Sequence, residues 1–342
     1  MIETRKAHEL DVVELVEDLP EYGLKRGERG TVVEVFDEPE EAYMLEFVEH
    51  DGTSSRLADW VKPSQVINLK TTVVDILERG IRLFNEGNSL EAEKVFRQAV
   101  GMMPECLDVL HHSIMKDLAD SGDYSQLIMA LRLMLRINSN YETARNNLAI
   151  AFQRYGIQQE AEGHYDESLE LLHLALGVDS AEDVTASIKR SFAVVYTSLG
   201  LKAFYAGDPL KAWGYMRKAC EADPNQITRR NLSVAYVHTA LYYFNHADLP
   251  QALEGFERAQ DMGLITPALL NNYGVALARQ GRGEEAIFEF ERGLKIDPGN
   301  HLIESNLSRV LNMADPHLNS AEINIEYASI PSVPSQEFRM AA

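Results

Sequence analysis

From about residue 72 onward, apolar residues return every third or fourth position, the spacing of one buried helical face. A longer unit repeats within that periodicity: a small residue, three others, a bulky one, two others, a small one, then often proline. Ala92, Phe96, Ala99 and Pro104 follow it, as do Ala212, Met216, Ala219, Pro224 and Ala286, Phe290, Gly293, Pro298. Ala252, Phe256 and Ala259 lack the proline; Leu127, Leu131, Met134 and Ser168, Leu172, Ala175 are weaker copies. The small residues let a neighbouring helix approach closely. A turn precedes each copy: Gly87-Asn88, Gly122-Asp123, Gly163-His164, Gly207-Asp208, Ala247-Asp248 and Gly281-Arg282. Pro209 behind Asp208 reads as a first-turn proline after a capping acid. The pattern predicts six helix hairpins, with His301 to Met313 as a closing helix.

Before residue 70 the period changes to two. "GTVVEVF" and "AYMLEFV" alternate apolar and polar as half-buried strands do, and His50 to Gly52 reads as a hairpin turn. The expected core is Val13, Val16, Val32, Val35, Tyr43, Leu45, Phe47, Trp60, Val61, Val66 and Ile67.

The helical unit resembles the tetratricopeptide repeat, a helix-turn-helix of 34 residues, over residues 72–313. The stretch "LPEYGLKRGERGTVVEV" resembles an uncharacterised family of small bacterial SH3-like barrels, with Gly27 and Gly30 at its glycine turn. The two resemblances imply a mainly α chain: a small SH3-like β-barrel over 1–70, then a right-handed solenoid over 72–313. The remaining segment, 314–342, is rich in Ser and Pro and is expected to be an extended or disordered tail.

The repeats are unevenly spaced. The first helices of the three middle repeats carry seven more residues than that of the last. Seven residues are close to two turns, which keeps both ends of a helix facing the same way. Aligned on the small residues Gly80, Ala149, Ala193, Ser233, Gly274 and Ser308, the positions two before them are Glu78, Asn147, Ser191, Asn231, Asn272 and Asn306. Ser113 holds this place in the second repeat, where Met115 breaks the small-residue rule. Polar residues therefore form a ladder along the first helices. In the tetratricopeptide family the first helices line a concave groove, and an Asn at this place bonds the backbone of a bound peptide in some members. The resemblance thus implies a peptide-binding groove at Asn147, Ser191, Asn231, Asn272 and Asn306; the alternative from the residues alone is that they tie neighbouring helices together. Beside the ladder stand Arg145, Lys189, Arg190, Arg229 and Arg230. Arg190 and Arg230 in particular suit an acidic or carboxylate-bearing client.

Charge narrows the partners. The formal net charge is −21, the wrong sign for a general nucleic-acid or membrane-surface binder. Only Cys106 and Cys220 are present, so no disulfide framework or cysteine-rich zinc site arises. No apolar run approaches a membrane span, and no apolar signal core opens the chain; a cytoplasmic location follows as the expectation. There is no phosphate loop, dinucleotide fingerprint or nucleophile elbow. The only paired histidines, His111-His112, diverge by about 100° on a helix and make no metal pair. No cofactor, metal or catalytic residue is expected. The favoured function is a non-catalytic adaptor or chaperone-like scaffold that holds an extended segment of a protein client. A ligand-gated regulator and an accessory subunit of an enzyme are the alternatives. The acidic tail is a candidate competitor for the groove.

Overall fold

The computed structural model describes residues 6–48, 55–119 and 121–312. The expected hairpin turn at His50 to Gly52 and the expected tail therefore lie outside the described residues. Five strands come first: β1 Val12–Leu15, β2 Arg29–Phe36, β3 Ala42–Val48, β4 Ser55–Val61 and β5 Val66–Asn68. They form one antiparallel sheet in the order β4-β3-β2-β1-β5, small-barrel-like in its content. Alternation drives it inward: Val13, Leu15, Val32, Tyr43, Leu45, Phe47, Ala58, Val61 and Val66 make one buried cluster.

Trp60, expected in that core, is not part of it. The register runs Tyr43↔Val61 and Leu45↔Ala58, so Asp59 and Trp60 together face Met44 in a β-bulge. Trp60 takes the left-handed conformation there, at φ 62, and its side chain turns outward, 39% exposed. The extra residue breaks the in-out alternation that placed it inside.

Thirteen helices follow among the described residues. The first hairpins are α1 Leu69–Asn85 with α2 Ser89–Met102, and α3 Cys106–Ala119 with α4 Tyr124–Ile137. Then come α5 Glu142–Ala161, α6 Tyr165–Leu176, α7 Glu182–Tyr205, α8 Pro209–Ala222, α9 Gln226–Asn245 and α10 Leu249–Asp261. The last are α11 Pro267–Arg279, α12 Gly283–Ile296 and α13 His301–Asn312. Sheet and helices join without a linker: Asn68 ends β5 and caps α1, its side chain accepting from Thr71 N–H at 3.2 Å. Asp123, Asp208, Asp248 and Thr266 cap α4, α8, α10 and α11 in the same way. The tight turns between hairpin arms use left-handed Gly87, Gly122, Gly163, Gly207 and Gly281; Ala247 stands in that place at φ 60. Phe96, Phe256 and Phe290 of the repeat pattern are fully buried, each stabilising its hairpin by about 1.5–3 kcal/mol.

By internal contacts the chain divides into two compact units, residues 1–148 and 149–342, a boundary that falls within α5. No helix among the described residues is long and apolar enough to cross a membrane.

Candidate functional site

The close contacts inside the hairpins set the true register of the repeats. A Cβ on Gly80 would lie 2.3 Å from the Phe96 ring, and one on Gly274 would lie 2.7 Å from the Phe290 ring. In the long helices the same contact is made seven residues later than the sequence alignment placed it. Gly156, not Ala149, meets Leu172; Gly200, not Ala193, meets Met216; Ala240, not Ser233, meets Gly255 of α10. The two added turns therefore precede the hairpin contact rather than follow it. Leu232, on the added turns of α9, packs in a cluster with Leu201 and Met216 of the preceding hairpin. Because seven residues return a helix to within about 20° of the same face, sequence spacing does not separate the two registers.

This moves the ladder. Asn147, Ser191 and Asn231 lie on the added turns, while Asn272 and Asn306 belong to short helices. Ser191, Asn231, Asn272 and Asn306 are all buried, 0–2% exposed. These four side chains are packed away from solvent, and some of their bonds run to a neighbouring helix. Gln153 Nε2 of α5 donates to Ser191 Oγ at 2.8 Å and to Ser187 Oγ at 2.9 Å. Asn306 Nδ2 donates to Asn271 Oδ1 at 2.7 Å, and Asn271 Nδ2 donates to Asn272 Oδ1 at 3.3 Å. Farther along α7, Ser198 donates to the buried Glu160 carboxylate at 2.7 Å. A polar side chain between packed helices must find such a partner or lose the desolvation energy. Asn231 is the exception: its Nδ2 is buried without a hydrogen-bond partner.

Within the first unit, half-buried Asn147 lies 2.9 Å from His111 Nε2. Tyr141 packs edge-on against the His111 ring at 5.6 Å and donates its hydroxyl to Asp108 at 2.7 Å. Burial holds the His111 imidazole below its ordinary value, against the opposing pull of Asp108. The neutral ring offers a lone pair at Nε2 for the Asn147 amide N–H. Burial likewise pushes the Cys106 thiol up to about 11, which leaves it an inert packing group.

Arg190 and Arg230 remain at the surface, and Arg230 borders two adjoining clefts in the second unit. The larger, about 600 Å³, is lined by Arg229, Arg230, Ser233, Met262 and Leu264. The smaller, about 350 Å³, runs past Arg230, Val234, Val237, Leu264, Pro267 and Asp297. Neither Arg229 nor Arg230 has an ion-pair partner among the described residues. Both sit in the first turns of α9, which begins at Gln226 and has no acid in its first turn. Cations at the positive end of a helix dipole are unfavourable unless an anion joins them. The clefts pair this electropositive wall with the apolar floor of Leu264, Val234 and Pro267. Sequence reading found Arg229 and Arg230 as a basic pair; Leu264 and Met262, in the α10–α11 connection, carried no signal because no period governs a loop.

Residues 237–301 match the tetratricopeptide repeat family model, which agrees with the hairpin contacts of α11 with α12. That match spans α10, α11 and α12. Residues 9–66, the five-stranded sheet, match a domain of unknown function (DUF4926). No curated protein matches the chain. Among solved structures, the chain is similar to pilF of Pseudomonas aeruginosa at 16% identity, covering 68% of this chain and 95% of that one, with a TM-score of 0.28. It is also similar to the tetratricopeptide domain of P58(IPK), at 16% identity over 71% of this chain and 65% of that one, TM-score 0.32. A third similarity is to the TPR2AB domain of yeast Sti1, solved as a complex with pHSP90, at 12% identity over 72% and 99%, TM-score 0.31. A tetratricopeptide array is in general a scaffold for protein–protein interaction. Among the described residues no group of His, Cys, Asp and Glu is arranged to hold a metal ion.

Proposed function

We propose that the protein is a non-catalytic adaptor or chaperone-like scaffold that holds a segment of a partner protein in the paired clefts around Arg230. The observation that carries this reading is the two guanidinium groups on the first turns of α9, without an ion-pair partner among the described residues and beside an apolar floor, in a chain of net charge −21. Two arginines bind a carboxylate by charge-assisted hydrogen bonds worth about 1.5–3 kcal/mol each. The matching segment is acidic with apolar residues between its acids: the carboxylate meets Arg229 or Arg230, and the apolar side chain lies on Leu264. The buried ladder contributes by holding successive first helices in place, so that the cleft walls are fixed before the partner arrives.

The test is fluorescence anisotropy of the full chain with a labelled peptide of alternating Glu and Leu. Arg230→Glu is expected to weaken binding at least tenfold, and raised salt is expected to weaken the parent complex. Equal affinity of the parent and Arg230→Glu for the peptide, or no binding by the parent, overturns the reading.

A further inference from the structure

The sheet domain carries a second surface, independent of the clefts. Its outer face over β2, β3 and β4 holds an aromatic pair: Phe36 and Trp60 stack with ring centroids 5.2 Å apart. Met44 lies opposite the bulge between them, and Leu57 of the same edge is 59% exposed. Acids interleave with this apolar row. Glu34 pairs across the strands with Met44, and Glu46 with Leu57; neither carboxylate has an ion-pair partner among the described residues. Residues 1–70 hold 17 acids and 8 bases.

Trp60 is held there against its backbone preference. A bulky side chain at positive φ is a strained outlier, and a bulge residue in this conformation is ordinarily glycine. The strain is accepted together with exposure of a large indole, so neither packing nor backbone comfort accounts for the residue. The Phe36 ring stacks on one side of it. Lys62 pairs with Glu40 at 2.9 Å, and Lys62 and, more weakly, a Trp60 hydrogen bond hold the Glu40 carboxyl below its usual range. An ordered indole face beside free carboxylates suits a cation, drawn to the ring quadrupole and to the acids together.

We infer that the outer face of β2–β3–β4, centred on the Phe36–Trp60 stack, docks a basic segment of a partner protein in which Arg or Lys alternates with apolar residues. The cation lies over Trp60 and bonds Glu34, and the apolar side chains cover Met44 and Leu57. The chain's own acidic C-terminal stretch has the wrong charge for this face.

The experiment pans a library of displayed 12-residue peptides on the full chain and measures the affinities of the winners. Peptides with Arg or Lys flanked by apolar residues are expected to be enriched. Their binding is expected to fall at least tenfold in Trp60→Asn, while the melting temperature of that variant rises, because Asn tolerates the left-handed conformation better than Trp. The double variant Glu34→Lys, Glu46→Lys, which leaves the aromatic pair intact, is expected to lose the same peptides. Arg230→Glu leaves this binding unchanged, which separates the surface from the clefts. Neutral or acidic winners, no winners, or affinity unmoved by Trp60→Asn overturns the inference. So does sedimentation showing a dimer of the full chain that Trp60→Asn dissolves, since the face is then an interface between copies.

Discussion

Gly80→Ala and Gly200→Ala are the same chemical change at equivalent places in two hairpins, yet the structure sets their signs apart. At Gly80 the new methyl would lie 2.3, 2.7 and 2.9 Å from three atoms of the Phe96 ring. Phe96 is fully buried and its ring is rigid, so the overlap must be relieved by moving α1 away from α2. Overpacking of this kind costs about 1–3 kcal/mol, and alanine returns about 0.5–1 kcal/mol over glycine in a helix interior. The net is a loss of up to about 2.5 kcal/mol. At Gly200 the nearest atom is Met216 Cε at 2.9 Å, with Sδ at 3.2 Å. The thioether end swings aside cheaply, so the helix gain cancels the clash and the change is near neutral. Thermal and urea melts of the full chain measure both, with hydrogen exchange over residues 69–102 assigning the first to its hairpin. Phe96→Leu removes the ring, and in that background Gly80→Ala is expected to lose most of its cost, a coupling of about 1 kcal/mol. A raised melting temperature for Gly80→Ala, or an undiminished cost beside Phe96→Leu, refutes the hairpin register.

Ala247→Gly is expected to stabilise the α9–α10 turn by about 0.5–1 kcal/mol, since glycine takes φ 60 without the Cβ clash; chemical denaturation reads it. Asn306→Ala removes the 2.7 Å donor of the buried Asn271 carbonyl, and the melt is expected to show a loss of about 1–3 kcal/mol. The His111–Asn147 bond is expected to be pH-sensitive. The folded-state pKa of His111 lies below the ordinary 6.5, so the unfolded chain takes up the proton first. The contribution is full above pH 6.5 and is lost as pH falls from there through the folded-state value. A stability–pH curve is therefore expected to flatten over that window in His111→Gln, and an unchanged curve counts against the buried neutral ring.

Much of this architecture was legible in the chain. The six hairpins, their turns and the closing helix follow from Ala286, Phe290, Gly293 and their copies, because packing of two helices imposes a strict spacing on the residues between them. The strands β2 and β3 followed from alternation, which the bulge at Trp60 broke in β4; a bulge signalled by glycine is readable, whereas one that carries tryptophan is not. The ladder was misplaced for a different reason. Asn147, Ser191 and Asn231 share a helical face with Arg154, Ser198 and His238, seven residues on, and the contacts of Gly156 with Leu172, Gly200 with Met216 and Ala240 with Gly255 decide which of the two sets corresponds to Asn272. Burial of the asparagines was equally hidden, because the same amide serves a peptide backbone or a neighbouring helix. Arg229 and Arg230 were found on charge alone; that neither has an ion-pair partner among the described residues required the positions of the acids around them.

The two added turns carry Arg145, Lys189, Arg190, Arg229 and Arg230, whereas the glycines and bulky residues that close each hairpin lie beyond them. A long helix of this kind is thus divided between two kinds of selection. Its later half is constrained by the partner arm, where one extra methyl is felt. Its earlier half is free to exchange surface residues without disturbing that contact. A lineage is able to retune what the clefts accept by substitutions at exposed Gln226, Arg229 and Arg230 while the hairpin of α9 and α10 stays as it is, and a further gain of seven residues elsewhere in the array adds new surface of the same kind with the old face preserved.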